Sequence, residues 1–254
     1  MAGESDLASS ASSPPAPAGD FFVTTRWTVV LSAGRKSSPQ SDRALGELCQ
    51  IYWYPLYAYI RRQGHSKEDA EDLVQAFFAR FLEKNYLEGL SAERGKFRAF
   101  LLASLKHFLA NEWDKSQRQK RGGGSPHLSI DWQSANERYD LHAPDRASAD
   151  RIFDREWALA LLERVITRLR DESAAAGKSA LFARAKGCLM VGESAIPYAQ
   201  AAKELQMDEG AVRVAVHRFR KRYRELLREE IAQTLSDPAQ VAEELRSLQA
   251  ALAS

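Results

Sequence analysis

Apolar residues recur at intervals of three and four along two long stretches of the chain, residues 21–121 and residues 151–235. This spacing is typical of amphipathic helices and differs from the alternation expected of strands. The few glycines and prolines in these stretches fall between the periodic segments, where they end helices. The pattern predicts an all-α protein with two small helical domains, and it offers no candidate strand.

Two segments lack this periodicity. Residues 1–20 consist mostly of Ala, Ser, Pro and Gly, and residues 122–150 open with three glycines and a Ser-Pro pair. Such compositions bury too little apolar surface to offset the entropy of ordering the chain. We predict a disordered tail at residues 1–20 and a flexible linker at residues 122–150.

Residues 236–254 form a C-terminal extension with a helical pattern of its own. Asp237 is a favourable helix N-cap, and Pro238 follows it at the first helical position. The next turns carry a single apolar stripe, made of Val241, Leu245, Leu248 and Leu252. A stripe of this width requires a partner surface to cover it.

A short segment and a longer basic segment follow each other between Tyr198 and Arg222. The first is predicted to form a helix that starts near Pro197 and turns Ala201 and Ala202 inward, where small side chains permit a close helix crossing. The turn is predicted at residues 206–208. Asp208 then caps the second helix, whose free backbone amides suit a phosphate.

The second helix separates its apolar and basic residues onto different faces. Its predicted buried face consists of Val212, Val216, Phe219 and Tyr223. Seven lysines or arginines and one acid lie between Ala211 and Arg228, so this segment repels itself unless it is solvated or neutralised by phosphates. A solvated surface helix is one interpretation, but the whole combination predicts a helix-turn-helix whose second helix enters the major groove.

The segment EGAVRVAVHRFRKRYREL resembles the recognition helix of sigma-70-type factors, particularly those of the extracytoplasmic-function group. The resemblance implies that this helix reads the minus-thirty-five promoter element through Glu209, Gly210, Arg213, His217, Arg218 and Lys221. The chain departs from that family at the turn, where it has Gln206 instead of the usual glycine. Glutamine adopts the left-handed backbone conformation less readily than glycine.

The segment SKEDAEDLVQAFFARFLEK reads as an amphipathic helix capped by Ser66, with acids near its positive N-terminal end. On physical grounds alone it is an ordinary surface helix. Its core, DAEDLVQAFFARF, is similar to the core-binding helix of the same sigma factors. The resemblance implies docking on the clamp helices of the largest subunit of RNA polymerase, with candidate contacts at Asp69, Asp72, Gln75 and Phe78.

A longer helix, FRAFLLASLKHFLANEWDKSQRQKR, begins apolar and ends basic. Aromatic side chains beside basic ones suit single-stranded DNA, although Phe108 and Trp113 are equally well explained as core residues. The resemblance implies that this helix meets the melted minus-ten element and that the preceding loop captures a flipped base. The implied DNA contacts are Asn85, Tyr86, Lys106, Asn111, Lys115 and Arg118.

Composition and charge restrict the classes of protein that this chain can belong to. The net charge is only +2, so a DNA-binding surface has to arise from local segregation of charge. Cys49, Cys188 and the five scattered histidines fit no metal-ligand spacing, and we predict neither a metal nor a cofactor. No signal peptide and no apolar run of roughly 18 residues is present, so we expect a soluble cytoplasmic protein without a membrane partner.

Together these features predict a non-enzymatic sigma factor whose partners are core RNA polymerase, promoter DNA and, as a further candidate, an anti-sigma factor or other regulator. The alternative is a helix-turn-helix regulator that binds a palindromic operator as a dimer, with residues 237–252 as its seam. An adaptor role would leave the basic face unexplained. Catalysis is disfavoured because the chain has no phosphate-binding glycine loop, no metal spacing and no nucleophile with a recognisable base.

Overall fold

The computed structural model describes residues 26–33, 39–82, 96–116, 131–142, 147–186 and 198–253. Within these ranges the chain is helical and contains no strand, only an isolated antiparallel bridge between Lys96 and Leu235, which confirms the all-α prediction. The α-helices are α1 (Arg26–Ala33), α2 (Pro39–Arg62), α3 (Lys67–Leu82), α4 (Phe97–Ser116), α5 (Trp132–His142), α6 (Ala149–Ala175), α7 (Ser179–Ala185), α8 (Tyr198–Leu205), α9 (Glu209–Ala232) and α10 (Val241–Ala253).

The larger hydrophobic core is rich in aromatic side chains. It joins α1 to α4 with α5, the first half of α6, the end of α9 and α10. Its largest fully buried side chains include Trp27, Tyr52, Phe77, Phe97 and Trp157. Burial of a phenylalanine side chain contributes about 1.5–3 kcal/mol, so Phe77 and Phe97 each stabilise the first helical block.

A second, smaller core lies beneath the predicted helix-turn-helix. It is formed by the second half of α6 together with α7, α8 and α9, and it buries Val165, Leu169, Phe182, Val212 and Val216. The 27-residue helix α6 contributes to both cores. The helix-turn-helix is therefore attached to the rest of the chain through a continuous helix.

The C-terminal extension begins as predicted. The Asp237 carboxylate accepts a hydrogen bond from the Ala239 backbone N–H at 2.8 Å, and a 3₁₀ turn (Pro238–Gln240) leads into α10. The apolar stripe of α10 finds its partner within the same chain, since Leu248 is 3% exposed and packs into the larger core. Only Leu252, at the far end of the stripe, stays 40% exposed.

The end of α9 is anchored by a buried carboxylate. The Glu230 carboxylate is fully buried and forms ion pairs with Arg164 at 2.8 Å, Arg168 at 2.6 Å and Arg26 at 3.3 Å. These arginines come from α6 and α1, so a single carboxylate ties three helices together. The next residues also join the first block, where the Phe97 backbone N–H donates to the Thr234 carbonyl at 3.0 Å.

The segment predicted to be a linker contains helix α5, which the sequence pattern did not indicate. Its Asn136 side chain is buried, donates to Glu71 at 2.9 Å and accepts a hydrogen bond from the Tyr57 hydroxyl. The predicted tail at residues 1–20 lies outside the described residues, and the division into two domains stays a prediction. Among the described helices, none is long and apolar enough to cross a membrane.

Candidate nucleic-acid interface

The predicted helix-turn-helix is formed by α8 and α9. As predicted, Asp208 caps α9, because its carboxylate accepts hydrogen bonds from the backbone N–H groups of Gly210 at 2.8 Å and Ala211 at 3.3 Å. Ala201 and Ala202 are buried against α9, whose Val212 and Val216 are each 2% exposed. The small residues of α8 thus allow the close crossing that the sequence indicated.

The turn between the two helices requires a left-handed residue. Gln206 has a φ of 51°, and it is the only residue other than glycine with a positive φ in the described ranges. The Met207 backbone N–H then donates to the Ala202 carbonyl at 2.9 Å and closes α8. A non-glycine residue in this conformation costs about 1–2 kcal/mol, so the departure from the family's usual glycine has an energetic cost.

The exposed face of α9 carries the predicted minus-thirty-five contacts. His217, Arg218 and Lys221 are exposed, and within the described residues no ion pair involves them. Arg213 is 63% exposed and binds Glu209 on its own helix at 2.6 Å. Among the described residues no carboxylate pairs with Arg218 or Lys221, so α9 presents these two cations to solvent.

One α9 cation faces the protein instead. Arg222 binds Glu172 of α6 at 2.8 Å and also contacts Glu229 at 3.0 Å and Glu225 at 3.3 Å. The hydrogen bond from Arg222 lowers the pKa of the Glu172 carboxyl, and the charges of Arg222 and Arg168 act in the same direction against partial burial. Arg222 thus holds α9 against α6 and is not available to a ligand.

Gly210 has a structural role that the resemblance did not supply. A Cβ atom at this position would lie 2.8 Å from the Asp208 carboxylate oxygen that caps the helix. Any larger residue would push this oxygen away from the backbone N–H groups that donate hydrogen bonds to it. Glycine at this position is therefore explained by the cap, whether or not DNA binds there.

Helix α3 begins at the predicted cap. The Asp69 backbone N–H donates to the Ser66 hydroxyl at 3.1 Å, and that hydroxyl donates to the Asp69 carboxylate at 2.8 Å. Asp69 and Asp72 are exposed and Gln75 is half-buried. Phe78 is fully buried in the larger core, so its expected direct contact with a partner is corrected: it supports α3 from the inside.

A groove with a volume of about 930 Å³ lies between the α2–α3 turn and α4. Its lining combines candidate polymerase contacts with candidate DNA contacts and includes Asp69, Asp72, Leu73, Lys106, Leu109 and Trp113. Trp113 is 69% exposed, whereas Phe108, one and a half turns earlier, is 1% exposed. The structure therefore separates the two aromatics, one as a surface residue and one as a core residue.

The minus-ten candidates have different environments. Asn111 is exposed, and Lys106 is 46% exposed and binds Asp150 at the start of α6 at 2.7 Å. This hydrogen bond raises the pKa of the Lys106 ammonium. Asn85, Tyr86 and Arg118 lie outside the described residues, and of Lys115 only the helical backbone is described.

Sequence reasoning missed the acidic partners of α4. Arg98 binds Glu244 of α10 at 3.0 Å and also pairs with Asp154 of α6, while Lys96 reaches Glu243 at 2.6 Å. Burial acts to lower the pKa of Arg98, but the hydrogen bond and charge of Glu244, with the charge of Asp154, raise it above its usual value. These pairs join residues far apart in the chain, so no local signal could have indicated them.

Comparison with known families bears on the part of the chain that forms this groove. Residues 52–119 match the family described as Sigma-70 region 2. The matched range contains the end of α2, all of α3 and all of α4, and α8 and α9 lie outside it. The match supports a sigma-70 family sigma factor, a transcription initiation factor that binds RNA polymerase and recognises promoters. No curated protein and no solved structure gives a match.

Proposed function

We propose that this chain is a sigma factor of the extracytoplasmic-function type, in which α3 docks on core RNA polymerase, α4 meets the minus-ten element and α9 reads the minus-thirty-five element. One observation carries the proposal: a region 2 match at residues 52–119 is followed in the same chain by a capped helix-turn-helix with an exposed basic face. A protein that directs polymerase to promoters needs both parts.

The surface of α3 supports the docking role. Asp69 and Asp72 are exposed along the groove, and Gln75 lies one turn further on the same helix. Exposed carboxylates attract a basic partner surface and orient its approach. We therefore assign the clamp-helix contact to Asp69, Asp72 and Gln75, without Phe78.

The surface of α4 supports contact with melted DNA. Lys106, Asn111 and the exposed ring of Trp113 lie along one helix, and a cation beside an aromatic ring can bind a phosphate while a base stacks. From the resemblance, the proposal also includes Asn85, Tyr86, Lys115 and Arg118. Because the two DNA-reading parts are predicted to be tethered by a flexible linker and the net charge is only +2, we expect promoter binding to be weak until polymerase is present.

The exposed face of α9 supports duplex binding. Phosphates are neutralised by lysine and arginine, and arginine also reads guanine in the major groove through two hydrogen bonds. Arg218, Lys221 and His217 are exposed for such contacts, and Arg213 can exchange Glu209 for DNA. An anti-sigma factor or other regulator stays a proposed further partner.

The dimeric-regulator alternative receives less support from the packing. Its seam was expected on the apolar stripe of α10, but Leu248 and Ala251 of that helix are buried within the chain. A dimer seam would need this surface to be free. The packing of α10 therefore favours the sigma factor over the dimeric regulator.

In vitro transcription with purified core RNA polymerase on a promoter library tests the proposal. We expect transcripts from a defined promoter set only when this protein is added. Replacing Arg218 and Lys221 together by alanine should lower promoter binding by the holoenzyme about 10–100-fold and reduce its salt dependence, because two phosphate or base contacts are lost. Arg170→Ala is the matched control, since Arg170 is 60% exposed on α6.

Two outcomes would contradict the proposal. One is that the protein neither binds core polymerase nor changes its transcripts. The other is that the free protein binds a palindromic duplex tightly as a dimer at physiological salt, which would return the regulator hypothesis.

A further inference from the structure

Val214 is an apolar residue on the exposed face of α9. Its side chain is 51% exposed, whereas Val212 and Val216 on either side of it are each 2% exposed and face the smaller core. A β-branched residue at an exposed helix position also gives up helix propensity relative to alanine or lysine. Neither packing nor helix formation accounts for valine at this position.

The neighbours of Val214 on the helix surface are those three and four residues away. Gly210 and Ala211 lie on its N-terminal side, and His217 and Arg218 lie on its C-terminal side; all four are exposed. Valine thus lies between two residues too small to hold a ligand away from the backbone and two that can bind phosphates or bases. This arrangement brings the valine methyl groups close to any duplex that binds the cations.

In the major groove, thymine alone among the four bases presents a methyl group, and apolar side chains recognise thymine by contact with it. Residues in the first turns of a recognition helix are those that reach base edges. We propose that Val214 packs on the 5-methyl group of a thymine and makes the promoter contact of α9 selective for thymine at that position. This inference rests on the proposed function of α9 as a duplex-reading helix.

A protein partner is the other possible occupant of this face. The Arg218 and His217 side chains directly beside Val214 disfavour it, because a protein contact centred on valine would have to desolvate or pair these polar groups. A DNA duplex offers phosphates to Arg218 and His217 and, at a thymine, a methyl group to Val214. The thymine contact is therefore the occupant that the chemistry favours.

The test replaces thymine by deoxyuridine, which keeps the hydrogen-bonding groups and lacks only the methyl. Holoenzyme is reconstituted with the intact chain, and its affinity is measured for promoter duplexes with one uracil at each thymine of the upstream element. Removing one buried methyl should weaken binding by about three- to tenfold at one position. In Val214→Ala that position should no longer distinguish thymine from uracil, since the two changes remove the same contact.

The controls separate the possible failures. Leu252→Ala removes a different exposed apolar side chain and should leave the uracil response intact, and circular dichroism should show that Val214→Ala keeps its helix content. If wild-type holoenzyme binds its promoter but shows equal affinity for every uracil duplex, or if Val214→Ala keeps the wild-type uracil response, the Val214 inference is wrong and the proposed function stands. If Val214→Ala weakens core polymerase binding without DNA, a protein contact replaces the proposal. If no promoter is bound at all, both fail.

Discussion

Helices α4 and α9 both carry exposed or partly exposed cations, but the fold treats them differently. The cations at and along α4 are paired with carboxylates from the C-terminal half of the chain: Lys96 with Glu243, Arg98 with Glu244 and Lys106 with Asp150. On the exposed face of α9, His217, Arg218 and Lys221 have no such carboxylate within the described residues. Lys96 and Arg98, at the start of α4, therefore hold the fold together through the buried Glu244, whereas Arg218 and Lys221 of α9 stay exposed to a ligand.

The comparison shows that cation content alone does not identify a DNA-binding surface. A guanidinium that is buried against a carboxylate contributes to structure and cannot reach a phosphate without breaking that pair. An exposed cation without a partner contributes little to stability and stays available for a ligand. The difference between α4 and α9 can be tested by removing one partner at a time.

The largest expected effect follows from the carboxylate that faces Arg98. Glu244 is 1% exposed and contacts both Arg98 and Lys96. Glu244→Gln removes its charge and leaves a largely buried guanidinium without its main counter-charge, so we expect a loss of about 3 kcal/mol in the free energy of unfolding. Denaturant titration followed by circular dichroism measures this loss.

The adjacent Glu243 supplies a matched control. It also binds Lys96, but its side chain is 59% exposed. Glu243→Gln should therefore cost less than about 1 kcal/mol. Equal losses in the two variants would show that burial does not distinguish the ion pairs of α4, and the contrast with α9 would lose its basis.

A smaller effect is expected at the turn before α9. Gln206→Gly should raise the free energy of unfolding by about 0.5–1 kcal/mol, because glycine adopts the positive φ at this position without steric cost, partly offset by its greater freedom when unfolded. Thermal or denaturant unfolding measures the gain. Gln206→Ala keeps the strained conformation and should give no comparable gain.

The same variant sharpens the comparison, because Gln206 is not one of the exposed cations of α9. Promoter affinity of the Gln206→Gly holoenzyme should match that of wild type while stability rises. A large change in affinity would indicate that the turn itself sets the position of α9 on DNA.

The smallest effect concerns Arg222. This cation of α9 is paired with a carboxylate of another helix, as the cations of α4 are. Its hydrogen bond to Glu172 lowers the pKa of that carboxyl in the folded state. A lowered folded pKa gives stability that is present above the unfolded value, near 4.5, and is lost as the pH falls toward the folded value. Both side chains are about 40% exposed, 37% for Arg222 and 41% for Glu172, so the contribution should stay under about 1 kcal/mol.

Glu172→Gln should therefore be less stable than wild type at pH 7 and nearly as stable as wild type near pH 3. Denaturant unfolding at several pH values gives the difference, and high salt should shrink it at pH 7. A difference that persists unchanged at low pH would mean that the carboxylate charge is not its source.

Local features of this protein were predictable because their causes lie within a few residues. The cap at Asp208 and the buried face of α9 follow from short-range hydrogen bonding and helical periodicity. The structure confirms the cap and the burial of Val212, Val216 and Phe219, while Tyr223 is only partly buried. The start of the C-terminal helix at Asp237 is confirmed for the same reason. Helix α5 was missed because its sequence has little periodicity to indicate a helix.

The burial of Phe78 depended on tertiary packing that the sequence of α3 does not specify. The family resemblance placed Phe78 at an interface, whereas the structure buries both Phe77 and Phe78. Both rings are buried, because α3 packs against α2 as well as α4 and is therefore covered on more than one side. How many sides of a helix are covered depends on its neighbours in space, which its own residues do not specify.

The sequence by itself determined the helical class, the helix-turn-helix with its cap, and the resemblance that the region 2 match supports for residues 52–119. Only the tertiary structure decided which cations have a carboxylate partner: Lys106 pairs with Asp150 and Arg98 with Glu244, across 44 and 146 residues of chain. An ion pair depends on distance in space, and the folding of the chain sets that distance. The same folding leaves Val214 exposed on the face of α9 that also carries Arg218 and Lys221.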